Sequence, residues 1–152
     1  MDPLVKPISQ TVEYIHNDIF KAVEPLGDEE INWAHPHLSN TIGILLRHLA
    51  GSERYWIGEV VGGRPAQRVR EAEFVREPLQ KAPLIKGLRE AHGMVQEVLS
   101  TLRVADLTRE VEFTWRGTQH RLTTEWAILH SVQHSAYHLG QIQLFKKMAT
   151  SR

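Results

Sequence analysis

Apolar residues recur every three to four positions along most of this chain, and the four stretches that carry the recurrence predict four amphipathic helices. The first runs from Ile8 to about Val23, with Val12, Ile15, Ile19 and Val23 on one side, Phe20 beside them, and Pro25 and Gly27 ending it. Asp28 then stands as an N-cap with acids behind it, predicting a short helical turn up to Trp33 before the His35-Pro36-His37 loop. Ser39, Asn40 and Thr41 offer caps for a second helix whose apolar side is Ile42, Leu45, Leu46, Leu49, Trp56 and Ile57, and which ends at Gly62-Gly63. From Arg64 to Pro83 the pattern dissolves into charge. This is a long connection of the functional or mobile kind, with Phe74 as its main hydrophobic anchor. Pro83 suits the first turn of a third helix, striped by Leu84, Leu88, Ala91, Val95, Val98, Leu99 and Leu102.

A period of two replaces the helical period at one place. Glu110–Trp115 alternates polar and apolar, Arg116-Gly117 reads as a turn, and Thr118–Leu122 returns as its partner, predicting a small β-hairpin. Thr123 or Thr124 caps a fourth helix that holds Glu125 in its first turn and runs to about Met148. Four long amphipathic helices in 152 residues predict an all-α four-helix bundle, one domain over residues 1–152, with a small β-hairpin before the last helix.

Composition narrows the function. Lys plus Arg and Asp plus Glu number 18 each, and no basic block of five or more occurs. That excludes the concentrated positive face of a nucleic-acid binder and gives no reason to invoke an anionic membrane. No apolar run approaches the ~20 residues of a membrane span, and Met1–Pro7 has no apolar core of signal-peptide length. Cysteine is absent, so any metal must be held by histidines and carboxylates. The expectation is a soluble, cytoplasmic protein with no nucleic-acid or membrane partner.

The chemistry concentrates in the fourth helix, where His130, His134 and His138 recur every four residues. Helix positions four apart lie nearly above one another, with Cβ atoms roughly 5–6 Å apart. Two imidazoles so placed can bind one ion at about 2.0–2.1 Å from each nitrogen, and three in register offer two overlapping ways to do so. A bundle builds metal sites between facing helices, which makes His48, on the border of the second helix's apolar stripe, the natural third ligand. Any one of these histidines alone reads as an ordinary core or surface residue; their register and the facing His48 point to a metal.

The stretch from Asn40 through His48 to Trp56 resembles the second-helix signature of the DinB/YfiT-like superfamily, and His134-Ser-Ala-Tyr-His138-Leu-Gly-Gln141 resembles its last-helix signature. Trp33 and Pro36 before the second helix, and Trp126 and His130 before the paired histidines, fit the same pattern. The resemblance spans nearly the whole chain and implies a four-helix bundle with a long crossover connection. It implies a divalent metal held by His48, His134 and His138, with His130 as a pocket-lining neighbour, a small-molecule substrate and a homodimer. It also implies a metal-dependent enzyme that uses a low-molecular-weight thiol such as bacillithiol, mycothiol or glutathione, of the S-transferase or isomerase type. One departure is Leu139, where many relatives carry Arg. Zinc suits three histidines best, and imidazole also accepts nickel, cobalt, copper or manganese. His130, Glu53, Tyr137 and Gln141 are the candidates for proton transfer or for supporting the ligands. The alternatives are a hydrolase using an activated water, and a metal-binding, stress-associated protein without catalysis.

Overall fold

A computed structural model describes residues 1–115 and 117–151. Helix α1 spans Lys6–Val23 and the short α2 Asp28–Asn32. Helix α3, Ile42–Glu53, runs without a break into a π-helical segment, Arg54–Val61. A 3-10 turn, Arg70–Phe74, interrupts the long connection before α4, Lys81–Thr101. Helix α5, Val104–Leu107, leads into β1, Glu110–Trp115, which pairs antiparallel with β2, Thr118–Thr123, so that Glu110 faces Thr123 and Trp115 faces Thr118. Helix α6, Thr124–Thr150, closes the chain. The fold is thus mostly helical with one two-stranded hairpin before the last helix. No helix among the described residues is long and apolar enough to cross a membrane.

Local chemistry explains the ends of these elements. The Thr41 hydroxyl accepts a hydrogen bond from the Ile44 amide at 3.2 Å and so caps α3. The Glu30 carboxylate reaches back to the Gly27 amide at 2.8 Å and closes the start of α2. Gly117 takes the left-handed conformation, φ +77°, that a hairpin turn needs; its expected partner Arg116 lies outside the described residues.

Packing makes α3 the centre of the molecule, since ten of its twelve residues are buried. Ile19, Leu45, Leu46, Leu49, Leu88 and Ile142 belong to one apolar cluster. Trp56, Ile57, Val95, Leu99, Phe113 and Ile128 belong to a second, which seats the hairpin against the helices. On α3 and α6 the two clusters are separated by polar residues, Ser52 and Glu53 on one helix and Ser131 and Ser135 on the other, all buried. Within that layer Ser52 faces His134, and Glu53 is held by His16 and Ser135.

The second helix departs from expectation in one respect. It does reach Val61, but its last eight residues are wound as a π-helix. Apolar spacing does not distinguish a locally widened turn from an α-turn, and Tyr55 and Trp56, which line the site, both lie in this segment.

Candidate metal centre

The 3.6-residue period that buries Leu45 and Leu49 carries His48 inward as well, leaving it 4% exposed in the middle of α3. Across from it, His134 and His138 stand one turn apart on the inner side of α6. The three rings meet edge to face, with His48 4.8 Å from His134 and 5.0 Å from His138, centroid to centroid. Their Nε2 atoms converge, 2.9 Å between His48 and His134 and 3.1 Å between His134 and His138. Among the described residues this is the one group of three or more His, Cys, Asp or Glu side chains so placed as to hold a metal ion.

Each ring is oriented from its other nitrogen. His48 donates from Nδ1 to Glu73 Oε2 at 2.7 Å, and His138 donates from Nδ1 to Gln141 Oε1 at 2.7 Å. The Nδ1 of His134 faces Ser52 Oγ at 3.4 Å. Glu73 Oε2 and Gln141 Oε1 can only accept, which fixes the Nδ1–H tautomer of His48 and His138. The Ser52 hydroxyl is able to accept from His134 Nδ1 in the same way, and in that tautomer three Nε2 lone pairs face a common point. Three lone pairs pointed at one another repel unless a cation lies between them, so the donor set fits a divalent ion.

Electrostatics favour the same state. Burial, reinforced by the neighbouring His138 and His48, pushes the His134 pKa down to about 3. Burial also lowers His138, against the opposing pull of Gln141. Both rings are therefore neutral near pH 7, as metal ligands must be. Burial would raise the Glu73 carboxyl, but hydrogen bonds from Arg68 and His48 reverse this and lower its pKa, so it is ionised and accepts from His48.

The three histidines form the floor of an open vestibule of about 770 Å³. Tyr55 and Trp56 of the π-segment, Arg68, Arg70 and Phe74 of the connection, Trp115 of the hairpin, and His130, Tyr137 and Gln141 of α6 line its walls. His130 stacks on Trp126 at 5.1 Å and sits 4.5 Å from Trp56, which places it in an aromatic wall one turn from His134. Tyr137 is 60% exposed and its hydroxyl accepts from Gln141 Nε2 at 3.2 Å, so Gln141 links Tyr137 to His138.

Glu53 lies elsewhere, 2% exposed and turned into the core. Its carboxylate is 3.0 Å from His16 Nε2 and accepts from Ser135 Oγ at 3.1 Å, and it is not among the vestibule's lining residues. His16 donates its other nitrogen to the Val12 carbonyl at 2.9 Å. Burial would lower the His16 pKa; the Glu53 carboxylate overrides it and raises it.

Glu73 was not foreseen. It lies in the charged connection, 25 residues from His48, and no periodicity marks it. Phe74, the anticipated anchor, is half-buried with its ring 4.6 Å from that of His48, while the fully buried residue of the turn is the acid beside it.

Residues 12–142 match the family model of the DinB superfamily. A search of curated proteins finds no match. Among solved structures, the chain is similar to that titled a conserved protein from Enterococcus faecalis, at 13% identity and a TM-score of 0.81 over 100% of this chain and 99% of the other, a likeness of fold. Because the family match runs from the first helix into the last and takes in all three clustered histidines, the chain belongs to the DinB superfamily.

Proposed function

We propose that this protein is a divalent-metal-dependent enzyme in which His48, His134 and His138 hold the ion, zinc by ligand preference. The observation that carries this is the convergence of three Nε2 atoms, each ring tethered from behind, at the floor of an open vestibule. Three protein ligands and solvent access are the pattern of a catalytic centre rather than a closed structural one.

The reaction best suited to it is transfer of a small thiol to an electrophile, of the S-transferase or isomerase type. The ion supplies, when bound, the positive charge that lowers the pKa of a thiol and makes its sulfur nucleophilic. The chain contains no cysteine, so the thiol comes from a co-substrate. In this reading His130 and Tyr137 face the vestibule as the groups that carry a proton to or from the reactants, and Gln141 holds His138 in line. The Trp56, Trp115 and Phe74 side of the vestibule provides an apolar surface for the electrophile. Glu53, paired with His16, maintains the buried layer behind the ligands instead of meeting substrate.

The same reading takes the four longest helices as a four-helix bundle, with residues 64–80 as its long crossover. It also takes the protein as a homodimer, supported by Leu129 and Leu144, apolar and at least half exposed on the outer side of α6. A cytoplasmic location accompanies the use of a low-molecular-weight thiol.

The test is conjugation of a chromogenic electrophile with a small thiol by the zinc-loaded protein. Thiol-dependent turnover that chelation and His48→Ala abolish is the expected result. Turnover of an ester or amide without thiol would make the enzyme a hydrolase, and turnover indifferent to chelation would sink the metal mechanism.

A further inference from the structure

We infer that the connection between the second and third long helices is part of the metal centre, with Glu73, clamped by Arg68 and seated on Gly51, as the residue that positions His48 for ligation. This rests on the reading of His48 as a ligand. The geometry has three parts.

The first is the hydrogen bond itself. His48 Nδ1 donates to Glu73 Oε2 at 2.7 Å, and a carboxylate in that place fixes both the tautomer and the ring orientation of a ligating histidine and raises its basicity. The corresponding partners of His134 and His138 are the neutral Ser52 and Gln141. His48 is thus the ligand with a charged partner.

The second is the clamp. A carboxylate orients a ring only as firmly as it is itself held, and Glu73 sits on the short 3-10 turn of the connection rather than on a long helix. Arg68 fixes the carboxylate in place with two parallel hydrogen bonds, Nε to Oε1 at 2.6 Å and a terminal nitrogen to Oε2 at 2.8 Å. The backbone of the turn is held as well, by Arg47 Nε donating to the Glu73 carbonyl at 2.9 Å.

The third is the seat. Glycine is the poorest helix former after proline, yet Gly51 stands inside α3. A β-carbon there would collide with the Glu73 carboxylate, whose carboxyl carbon would be 2.7 Å away. The missing side chain is the space the carboxylate occupies. Gly51→Ala therefore pushes Glu73 off His48 without removing a polar group from the protein.

The experiment is a zinc titration of metal-free protein against a chromophoric chelator, for the wild type, Glu73→Ala, Glu73→Gln, Gly51→Ala, the Gly51→Ala/Glu73→Ala double variant and His48→Ala. Folding is followed by circular dichroism. The expected result is a roughly 10–100-fold weaker affinity in Glu73→Ala and in Gly51→Ala, with a smaller loss in Glu73→Gln, which keeps an acceptor. Gly51→Ala should then add nothing in the Glu73→Ala background, because both changes break the same contact. The visible d–d bands of the cobalt-loaded protein should shift in Gly51→Ala, which a purely structural role for the glycine would not cause. Wild-type affinity in Glu73→Ala, or a Gly51→Ala effect that persists undiminished without Glu73, overturns the inference while leaving the metal site intact if His48→Ala still loses zinc. Equal zinc binding by wild type and His48→Ala overturns both.

Discussion

At the scale of single residues, two stacked histidines are driven towards opposite protonation states. His16 is held towards the imidazolium form by Glu53, while His92, stacked on it at 4.1 Å, is pushed down to about 4, first by burial and then by the charge on His16. The consequence for stability has a definite sign. His92 in the unfolded chain takes up a proton near pH 6.5, but in the folded protein does so only near 4. Its contribution to stability is therefore present above pH 6.5 and is lost as the pH falls from there towards 4. His16 acts oppositely: its raised pKa contributes stability below 6.5, which is lost as the pH rises through the folded value. Urea denaturation of the metal-free protein should show stability falling between pH 7 and pH 4. His92→Phe should lose about 2 kcal/mol less over that range. Identical pH slopes for the two proteins would assign the acid sensitivity elsewhere. The buried ion pair predicts a second effect. In Glu53→Gln the buried His16 gives up its proton, and loss of the charged hydrogen bond should cost about 1–3 kcal/mol at pH 6 by the same measurement.

At the scale of elements, what was legible in the chain was whatever a helical period encodes. The stripes of α1 and α4, the Thr41 cap and the register of His134 with His138 all follow from residues three or four apart, and all appear where expected. The hairpin was legible from its alternation and from Gly117. Three things were not. The π-segment repeats the apolar spacing of an α-helix and differs only in its backbone hydrogen bonds. Glu73 joins the site through a contact across 25 residues of irregular chain, which no local pattern announces. Glu53 stands on the same helix as His48 and close to it in sequence, but its helical position turns it to His16 rather than to the vestibule. The α6 helix shows how the layers depend on one another. Ile142, fully buried one turn after His138, joins the apolar cluster next to the polar layer. Ile142→Ala should cost about 2–5 kcal/mol in urea, and a cost below 1 kcal/mol would mean that α6 does not anchor this core.

At the scale of the whole molecule, the fold brings one helix from each side to the histidine cluster and lays an irregular connection and a hairpin around its rim. The helices supply histidines at fixed spacing; the connection supplies the vestibule's charged residues, Arg68, Arg70 and Glu71, and the hairpin adds Trp115 to its aromatic surface. This division lets the helices keep the cluster's spacing while the rim is built separately by irregular chain and hairpin. It also ties stability to occupancy, since an ion that binds only the folded chain adds about 2.7 kcal/mol when free metal is a hundred times its dissociation constant. The measurement that bears most directly on this account is the zinc content of the purified, zinc-equilibrated protein after gel filtration, by elemental analysis, for the wild type and for His48→Ala, His134→Ala and His138→Ala. One ion per chain in the wild type, lost in each of the three variants while their helical content is retained, is the predicted result. A wild type without stoichiometric metal, or variants that keep it, would contradict the central claim.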